Sequence, residues 1–287
     1  MNKQEYIIEN DTFELKDIFD CGQCFRWNEE EDGSYIGVAL NSVLKVKKEN
    51  GKIVITGICD GDIKEIVYNY FDLNRDYEAI KNELSKVDSN MKVAIEYGKG
   101  IRILNQDLWE TIISFIISAN NNIPRIKGII ERMSKKYGKE IIFEGKKYYT
   151  FPTVDELSKV SVQELRSLGL GFRDVRVYET TQIIKTKKVN LQDLQNEQDF
   201  NKVRETLLTL PGVGPKVADC ILLFSSLKRW EAFPIDVWVR RVMNELYIHN
   251  EDEKKVKKEQ IEKIAKEKFG SLAGIAQQYL FYWKREA

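Results

Sequence analysis

Near residue 104 the spacing of apolar residues changes, and that change constrains the fold more than any other feature of the chain. Before it, residues 34–47 (SYIGVALNSVLKVK) and 52–58 (KIVITGI) are short, β-branched and partly alternating, the pattern of half-buried strands. Asn50-Gly51 between them is a hairpin signal, because both residues tolerate the left-handed backbone of a tight turn. Residues 63–71 and 77–87 then place apolar side chains at helical spacing, with Asp76 positioned to cap the second run. After Leu104 the helical period takes over. Leu108, Ile112, Phe115 and Ile116 form one stripe, and Ile126, Ile129, Ile130 and Met133 another. Further helices are predicted over 162–168, 173–184, 200–208, 215–227, 236–247, 253–269 and 271–283. The expected fold class is α+β. A small antiparallel sheet with helices occupies residues 1–103, and a larger all-helical domain occupies residues 104–287.

Charge and cysteine content narrow the function classes. Forty-five Lys and Arg balance 45 Asp and Glu over 287 residues, which excludes a polycation and an acidic disordered tail but not a local basic face. Only 17 Gly and 5 Pro exclude Pro/Gly-rich disorder. Cys21, Cys24, Cys59 and Cys220 are too few and too scattered for a disulfide scaffold, so a reducing compartment is expected. Cys21-x-x-Cys24 is either a redox pair or half of a metal site. No second ligand pair accompanies it, and the sole histidine, His249, stands in a polar stretch, so no metal site is expected. The opening Met-Asn-Lys-Gln-Glu-Tyr lacks the layout of a secretory leader, and the apolar run Ile112 to Ala119 is far too short to cross a bilayer. A cytoplasmic protein with no membrane partner is expected. Lys254–Lys258 reads as a solvated helix face.

The chemistry concentrates in Leu207–Leu223, LLTLPGVGPKVADCILL. A helix ends near Leu210, a loop containing Gly212, Val213 and Gly214 follows, and Pro215 opens a second helix. Glycines there leave amide N–H groups uncovered at a helix start, an arrangement suited to phosphate, although a plain turn between packed helices also fits. Lys216 stands on the first turn of the second helix. The positive end of a helix disfavours another cation, so the amine is expected to have a lowered pKa, as a nucleophilic lysine requires. Asp236, in Phe233-Pro-Ile-Asp-Val-Trp, opens the next helix as an N-cap and could also stabilise a developing cation.

With these residues in place, LPGVGPKVADC followed by PIDVW resembles the helix-hairpin-helix glycosylase superfamily, and within it the 8-oxoguanine DNA glycosylase/AP lyase branch. Three further segments carry the resemblance: Gly22-Gln-Cys-Phe-Arg-Trp27, Phe115 through Asn120-Asn-Asn-Ile-Pro-Arg125, and Leu168-Gly-Leu-Gly-Phe-Arg173. The resemblance implies a TATA-binding-protein-like N-terminal domain and a bifunctional enzyme that flips 8-oxoguanine out of duplex DNA. Lys216 would attack C1′ and form a Schiff base, β-elimination would follow, and Asp236 would assist. It implies that the Gly22 carbonyl accepts the N7–H found only on the oxidised purine, and that Gln277 reads the Watson–Crick edge. Phe281, Cys220 and Phe115 would enclose the base. Asn120, Arg125, Phe172 and Arg173 would fill the gap and address the partner base, while Gly212, Val213 and Gly214 would hold the DNA backbone.

Two positions depart from the family pattern: Phe172 stands where many members have tyrosine, and Trp238 where better-known members carry a phosphate-contacting histidine. The partner implied is duplex DNA containing 8-oxoguanine, met by a monomer that is nucleoid-associated when acting if the source is bacterial. No cofactor is implied, apart from a monovalent cation on the backbone of the hairpin loop. Endonuclease III-like members usually carry four clustered C-terminal cysteines, and none follows Cys220 here. Alkylbase and adenine glycosylases generally lack the loop lysine. A non-catalytic helix-hairpin-helix DNA-binding protein is the alternative from another class, and it would not need Lys216 and Asp236 together.

Overall fold

The computed structural model describes residues 2–9 and 13–286. Strands β1 (Lys3–Ile8), β2 (Trp27–Glu29), β3 (Tyr35–Ala39), β4 (Ser42–Glu49) and β5 (Lys52–Ile58) form one antiparallel sheet in the order β1-β5-β4-β3-β2. The β4–β5 hairpin turns at Asn50 and Gly51, with φ of +50° and +76°, as their residue types require. The apolar run 34–47 is two strands and not one. Leu40 and Asn41, at φ +47° and +59°, make a second tight turn between Ala39 and Ser42. Helices α1 (Leu15–Phe19), α2 (Ile63–Tyr70), α3 (Tyr77–Leu84) and α4 (Ser89–Tyr97) complete this region. Asp76 caps α3 by accepting from Ala79 N–H at 2.9 Å. Phe19 stacks on Trp27 at 4.2 Å between ring centroids, and the Trp27 indole N–H donates to the Tyr70 hydroxyl at 2.9 Å.

The remaining helices are α5 (Leu108–Ser118), α6 (Ile123–Tyr137), α7 (Val154–Leu157), α8 (Val162–Ser167), α9 (Asp174–Lys185), α10 (Leu191–Asn196), α11 (Phe200–Leu208), α12 (Pro215–Phe224), α13 (Val237–Met243), α14 (Lys258–Phe269) and α15 (Ala273–Glu286). The core of this part is built on α5 and α12, whose side chains are almost all buried. Ile80, Leu84, Met91 and Ala94 of α3 and α4 pack into the same core. An antiparallel sheet followed by a larger helical domain is therefore the architecture.

One element corrects the all-helical expectation: strands β6 (Glu140–Phe143) and β7 (Lys146–Tyr149) form a hairpin within the helical part. Ile141 and Phe143 close over Ile36, Val38 and Val43 on the outer face of the first sheet. The physical reason is burial: those three sheet residues would otherwise leave an apolar face in water. Helix α12 ends at Phe224, three residues short of the expected end, because Ser225 turns extended and forms a parallel bridge with Gln106. Helix α14 starts at Lys258, after a 3₁₀ turn over Glu253–Lys255.

Candidate active site

The hairpin is made by α11, the loop 209–214 and α12. Gly212 needs its residue type: its φ is +88°, and an added Cβ would lie 3.0 Å from Ile116 Cγ2 and 3.1 Å from Arg176. Gly214 carries no such constraint. Its φ is −89°, and a Cβ there would meet nothing within 4 Å, so the loop amide stays open to a ligand and not to the protein. Val213 is buried and anchors the loop, its N–H donating to Leu210 O at 3.0 Å, while the Thr180 hydroxyl holds Pro211 O at 2.9 Å.

Lys216 extends from the first turn of α12 into a half-buried position, with its ammonium 5.4 Å from the centroid of the Phe115 ring. Cys220, one turn further along α12, is buried and hydrogen-bonds to Lys216. Burial pushes its thiol up to about 11, so it is a neutral thiol at physiological pH. Asp236 caps α13, accepting from Val239 N–H at 2.8 Å, and its charge acts on Lys216. The expected lowering of the lysine pKa is overturned. Burial pulls it down, but Cys220 and Asp236 together outweigh burial and leave the amine above its ordinary value. The free protein therefore holds Lys216 as ammonium.

Gly22 sits at φ +86° beside the C-terminal helix, where an added Cβ would lie 3.1 Å from Arg285 Nη1 and 3.4 Å from Phe281 Cε1. Gln277, on the same helix, is 4% exposed, and its Oε1 is buried without a hydrogen-bond partner. A buried orphan acceptor costs about 1–3 kcal/mol unless something donates to it, which marks a place for a ligand. Phe25 joins the two clusters, because it follows the Gly22 turn and its ring meets Phe115 edge-on at 5.4 Å. The structure thus brings together Lys216, Cys220, Asp236 and Phe115 on one side, and Gly22, Gln277 and Phe281 on the other. A cavity of about 660 Å³ opens elsewhere, between α11, α12 and α14, and includes none of these residues.

The remaining predicted residues form a second group. Phe172 projects with 55% of its surface exposed, and Asn120 is exposed in a left-handed turn at φ +51°. Arg125 is exposed and donates to Gly169 O at 3.2 Å. Arg173 behaves differently: it is 2% exposed, and its guanidinium donates to the carbonyls of Ala119, Asn120 and Leu170 at 2.6–3.2 Å. Its place in the free protein is to fix the Asn120 turn. Trp238 is half exposed, with Arg241 stacked 5.3 Å from its ring centroid. Sequence reasoning missed Phe25, Gln106 and Gln278 as site-building residues. Phe25 was signalled by its place inside the Gly22–Trp27 string; the other two carry no local signal.

Residues 5–112 match the model for the 8-oxoguanine DNA glycosylase N-terminal domain, and residues 113–269 match that for HhH-GPD superfamily base excision DNA repair proteins. A probable N-glycosylase/DNA lyase of Methanothermobacter thermautotrophicus is 31% identical over 85% of this chain and 83% of its own length. The N-glycosylase/DNA lyase of Saccharomyces cerevisiae is 30% identical over 86% of this chain and 70% of its own. The crystal structure of Clostridium acetobutylicum 8-oxoguanine glycosylase/lyase, in complex with duplex DNA containing cytosine opposite 8-oxoG, superimposes with a TM-score of 0.92. It is 45% identical, covering 100% of this chain and 98% of that one. The fold and these matches define a helix-hairpin-helix base excision repair protein. Within that class, the chain belongs to the 8-oxoguanine DNA glycosylase/lyase family.

Proposed function

We propose that this protein excises 8-oxoguanine from duplex DNA and then cleaves the strand, with Lys216 as nucleophile. The observation that carries this reading is the placement of Lys216 at the mouth of the hairpin, between Cys220, Phe115 and the Asp236 carboxylate. The flipped nucleotide would bring C1′ to the amine. As nitrogen bonds to C1′, the glycosidic bond breaks and its electron pair leaves with the base, which takes up a proton. Asp236 stabilises the positive charge developing on the sugar. The adduct sheds one amine proton, and the C1′–O4′ bond then breaks, its electron pair and a proton going to O4′, which opens the sugar and gives the iminium; loss of a C2′ proton then expels the 3′ phosphate by β-elimination. Because Lys216 starts as ammonium, it must give up a proton when substrate binds.

Base selection rests on Gly22 and Gln277 in this proposal. A carbonyl at Gly22 accepts from the N7–H of the oxidised purine, whereas guanine presents an acceptor there and would leave the carbonyl unpaired. Gln277 faces the Watson–Crick edge, and its buried Oε1 gains a donor. Phe281 and Cys220 enclose the two base faces. Phe172, Asn120 and Arg125 occupy the gap in the duplex, with Arg173 behind them, and Gly212 to Gly214 take a phosphate on backbone amides. The working division of the chain is at residues 103 and 104, and the protein acts as a cytoplasmic monomer. Lys216 and Asp236 supply the chemistry without a cofactor. A monovalent cation fits the hairpin loop, where Leu210 O and Pro211 O each accept one hydrogen bond and keep a second lone pair. None of the helices among the described residues is long and apolar enough to cross a membrane.

Borohydride trapping on a duplex carrying 8-oxoguanine opposite cytosine tests the reading. A covalent protein–DNA adduct is expected with the wild type, and none with Lys216→Gln, which should still bind the duplex. Tight binding with no adduct and no strand cleavage by the wild type would leave the non-catalytic DNA-binding alternative standing.

A further inference from the structure

Gln106 ties the segment that carries Gly22 to the end of the helix that carries Lys216. It stands two residues before α5, next to Asp107, which caps that helix's first turn. Its Nε2 donates to Gln23 O at 2.7 Å and to Phe224 O at 3.0 Å, so both amide hydrogens are used. Gln23 is the neighbour of Gly22. Phe224 is the last residue of α12, the helix that carries Lys216 and Cys220. The backbone reinforces the tie: Ser226 N–H donates to Gln106 O at 2.8 Å.

The loop around Gly22 is held from every other side as well. Gln23 is fully buried, and its Nε2 reaches Ile18 O and Arg102 O at 2.8 Å each. Its Oε1 accepts from Leu104 N–H at 2.8 Å. On the other flank, Gln278 of α15 donates through Nε2 to Cys21 O. The carbonyls before and after Gly22 are therefore each fixed by a glutamine side chain from a distant segment. Gln106 differs from Gln278 in also gripping the end of the nucleophile's helix.

We propose that Gln106 is a positioning residue that sets the separation between Gly22 and helix α12, and with it the fit of a base between reader and nucleophile. The inference rests on the functional reading above, in which Gly22 reads the base. A substrate that already lacks its base makes no use of Gly22. Gln106 should thus govern excision of 8-oxoguanine and leave cleavage of a ready-made abasic site largely untouched.

The experiment uses Gln106→Met, which keeps the side chain's length and volume but removes both donors. Single-turnover rates are measured with an 8-oxoguanine:cytosine duplex and with an abasic-site duplex. Excision is expected to fall roughly tenfold or more, the scale of two lost hydrogen bonds, with abasic-site cleavage within about twofold of wild type. Retention of both rates, or an equal fall in both, overturns the inference. If Gln106→Met proves too unstable to assay, Gln106→Asn, which keeps the amide but shortens its reach to the two carbonyls, is expected to give the same split; equal changes there overturn the inference too. Failure of the functional reading has a separate signature, because the wild type itself would then leave 8-oxoguanine in place.

Discussion

The ammonium of Lys216 lies 5.4 Å from the centre of the Phe115 ring, a cation held against an aromatic face inside the site. Such a contact favours the charged amine by about 0.5–2 kcal/mol, in the same direction as Asp236 and Cys220. Attack needs the free amine, so its fraction grows as pH rises toward the lysine pKa. Abasic-site cleavage by the wild type is expected to climb through neutral into alkaline pH, by up to about tenfold per unit. Asp236→Asn keeps the helix cap but removes a charge that holds the proton on. Its rising limb should move to lower pH while its plateau falls. Pre-steady-state rates from pH 6 to 10 for both proteins check the two shifts, and an unmoved limb would count against the coupling.

Glu110 of α5 gives a pH effect on stability and not on chemistry. Burial lifts its carboxyl to about 7, with Arg26 opposing and Asp107 reinforcing the rise. The folded protein thus binds a proton at this site more tightly than the unfolded chain. Stability is fully present below the unfolded carboxylate pKa near 4.5, is lost as pH rises through about 7, and is level beyond it. At 1.36 kcal/mol per unit the loss is at most about 3 kcal/mol. Urea unfolding of Glu110→Gln between pH 5 and 8 should show a flatter stability profile than the wild type.

Gly22→Ala brings a side chain to a left-handed φ of +86° and a methyl group 3.4 Å from Phe281. The backbone strain is about 1–2 kcal/mol, small enough to leave a folded protein. The larger effect is local, because Phe281 must shift within the site. Excision of 8-oxoguanine is expected to fall by about tenfold or more while abasic-site cleavage survives, as differential binding predicts. Rates on the two substrates decide it.

Gly214→Ala separates folding from DNA contact, because an added Cβ meets open space at an ordinary φ. Its melting temperature should stay close to wild type. Affinity for any duplex, damaged or not, should drop roughly fivefold, the worth of one hydrogen bond of about 1 kcal/mol to a phosphate. Titrations on lesion-bearing and undamaged duplexes measure this, and unchanged affinity would remove the loop from the interface.

Arg125 and Arg173 should part ways. Arg125→Ala removes one exposed contact, so stability should change by less than about 0.5 kcal/mol. Discrimination for cytosine should weaken by about 1–3 kcal/mol if that arginine reads the partner base. Arg173→Ala empties a buried position and strands the carbonyls of Ala119, Asn120 and Leu170, with a stability loss on the order of 3 kcal/mol. Excision opposite each of the four bases, paired with thermal melts, distinguishes the roles.

The strongly periodic parts of the fold were legible in the sequence because period follows burial. The stripes on α5 and α6, the Asn50-Gly51 turn and the Asp76 cap are local features with local causes. Strand β1 and the β6–β7 hairpin were not legible, because what makes them strands is a remote partner: Ile58 opposite Lys3, and Ile36 and Val38 beneath Phe143. At the site, Lys216 and Asp236 could be read from helix-start chemistry. The direction of the lysine pKa could not, since it depends on Cys220 and Asp236 closing around it in three dimensions. Arg173 shows the same limit, because a surface residue type is buried there by carbonyls that only the folded turn assembles.

The Gln278 side chain donates to the Cys21 carbonyl beside Gly22, although the two residues are 257 positions apart in the chain. Lys216 and Asp236 are only 20 positions apart, within the same stretch of helices. During synthesis the ribosome therefore releases Lys216 before it releases the helix that carries Gln277 and Phe281. A nascent chain paused after Phe269 carries Lys216 and Asp236 but lacks Gln277 and Phe281. Such non-local closure is slow and comes late in folding. On the proposed function, the order of assembly makes a newly made molecule's choice between damaged and intact DNA wait on α15 docking against the Gly22 turn.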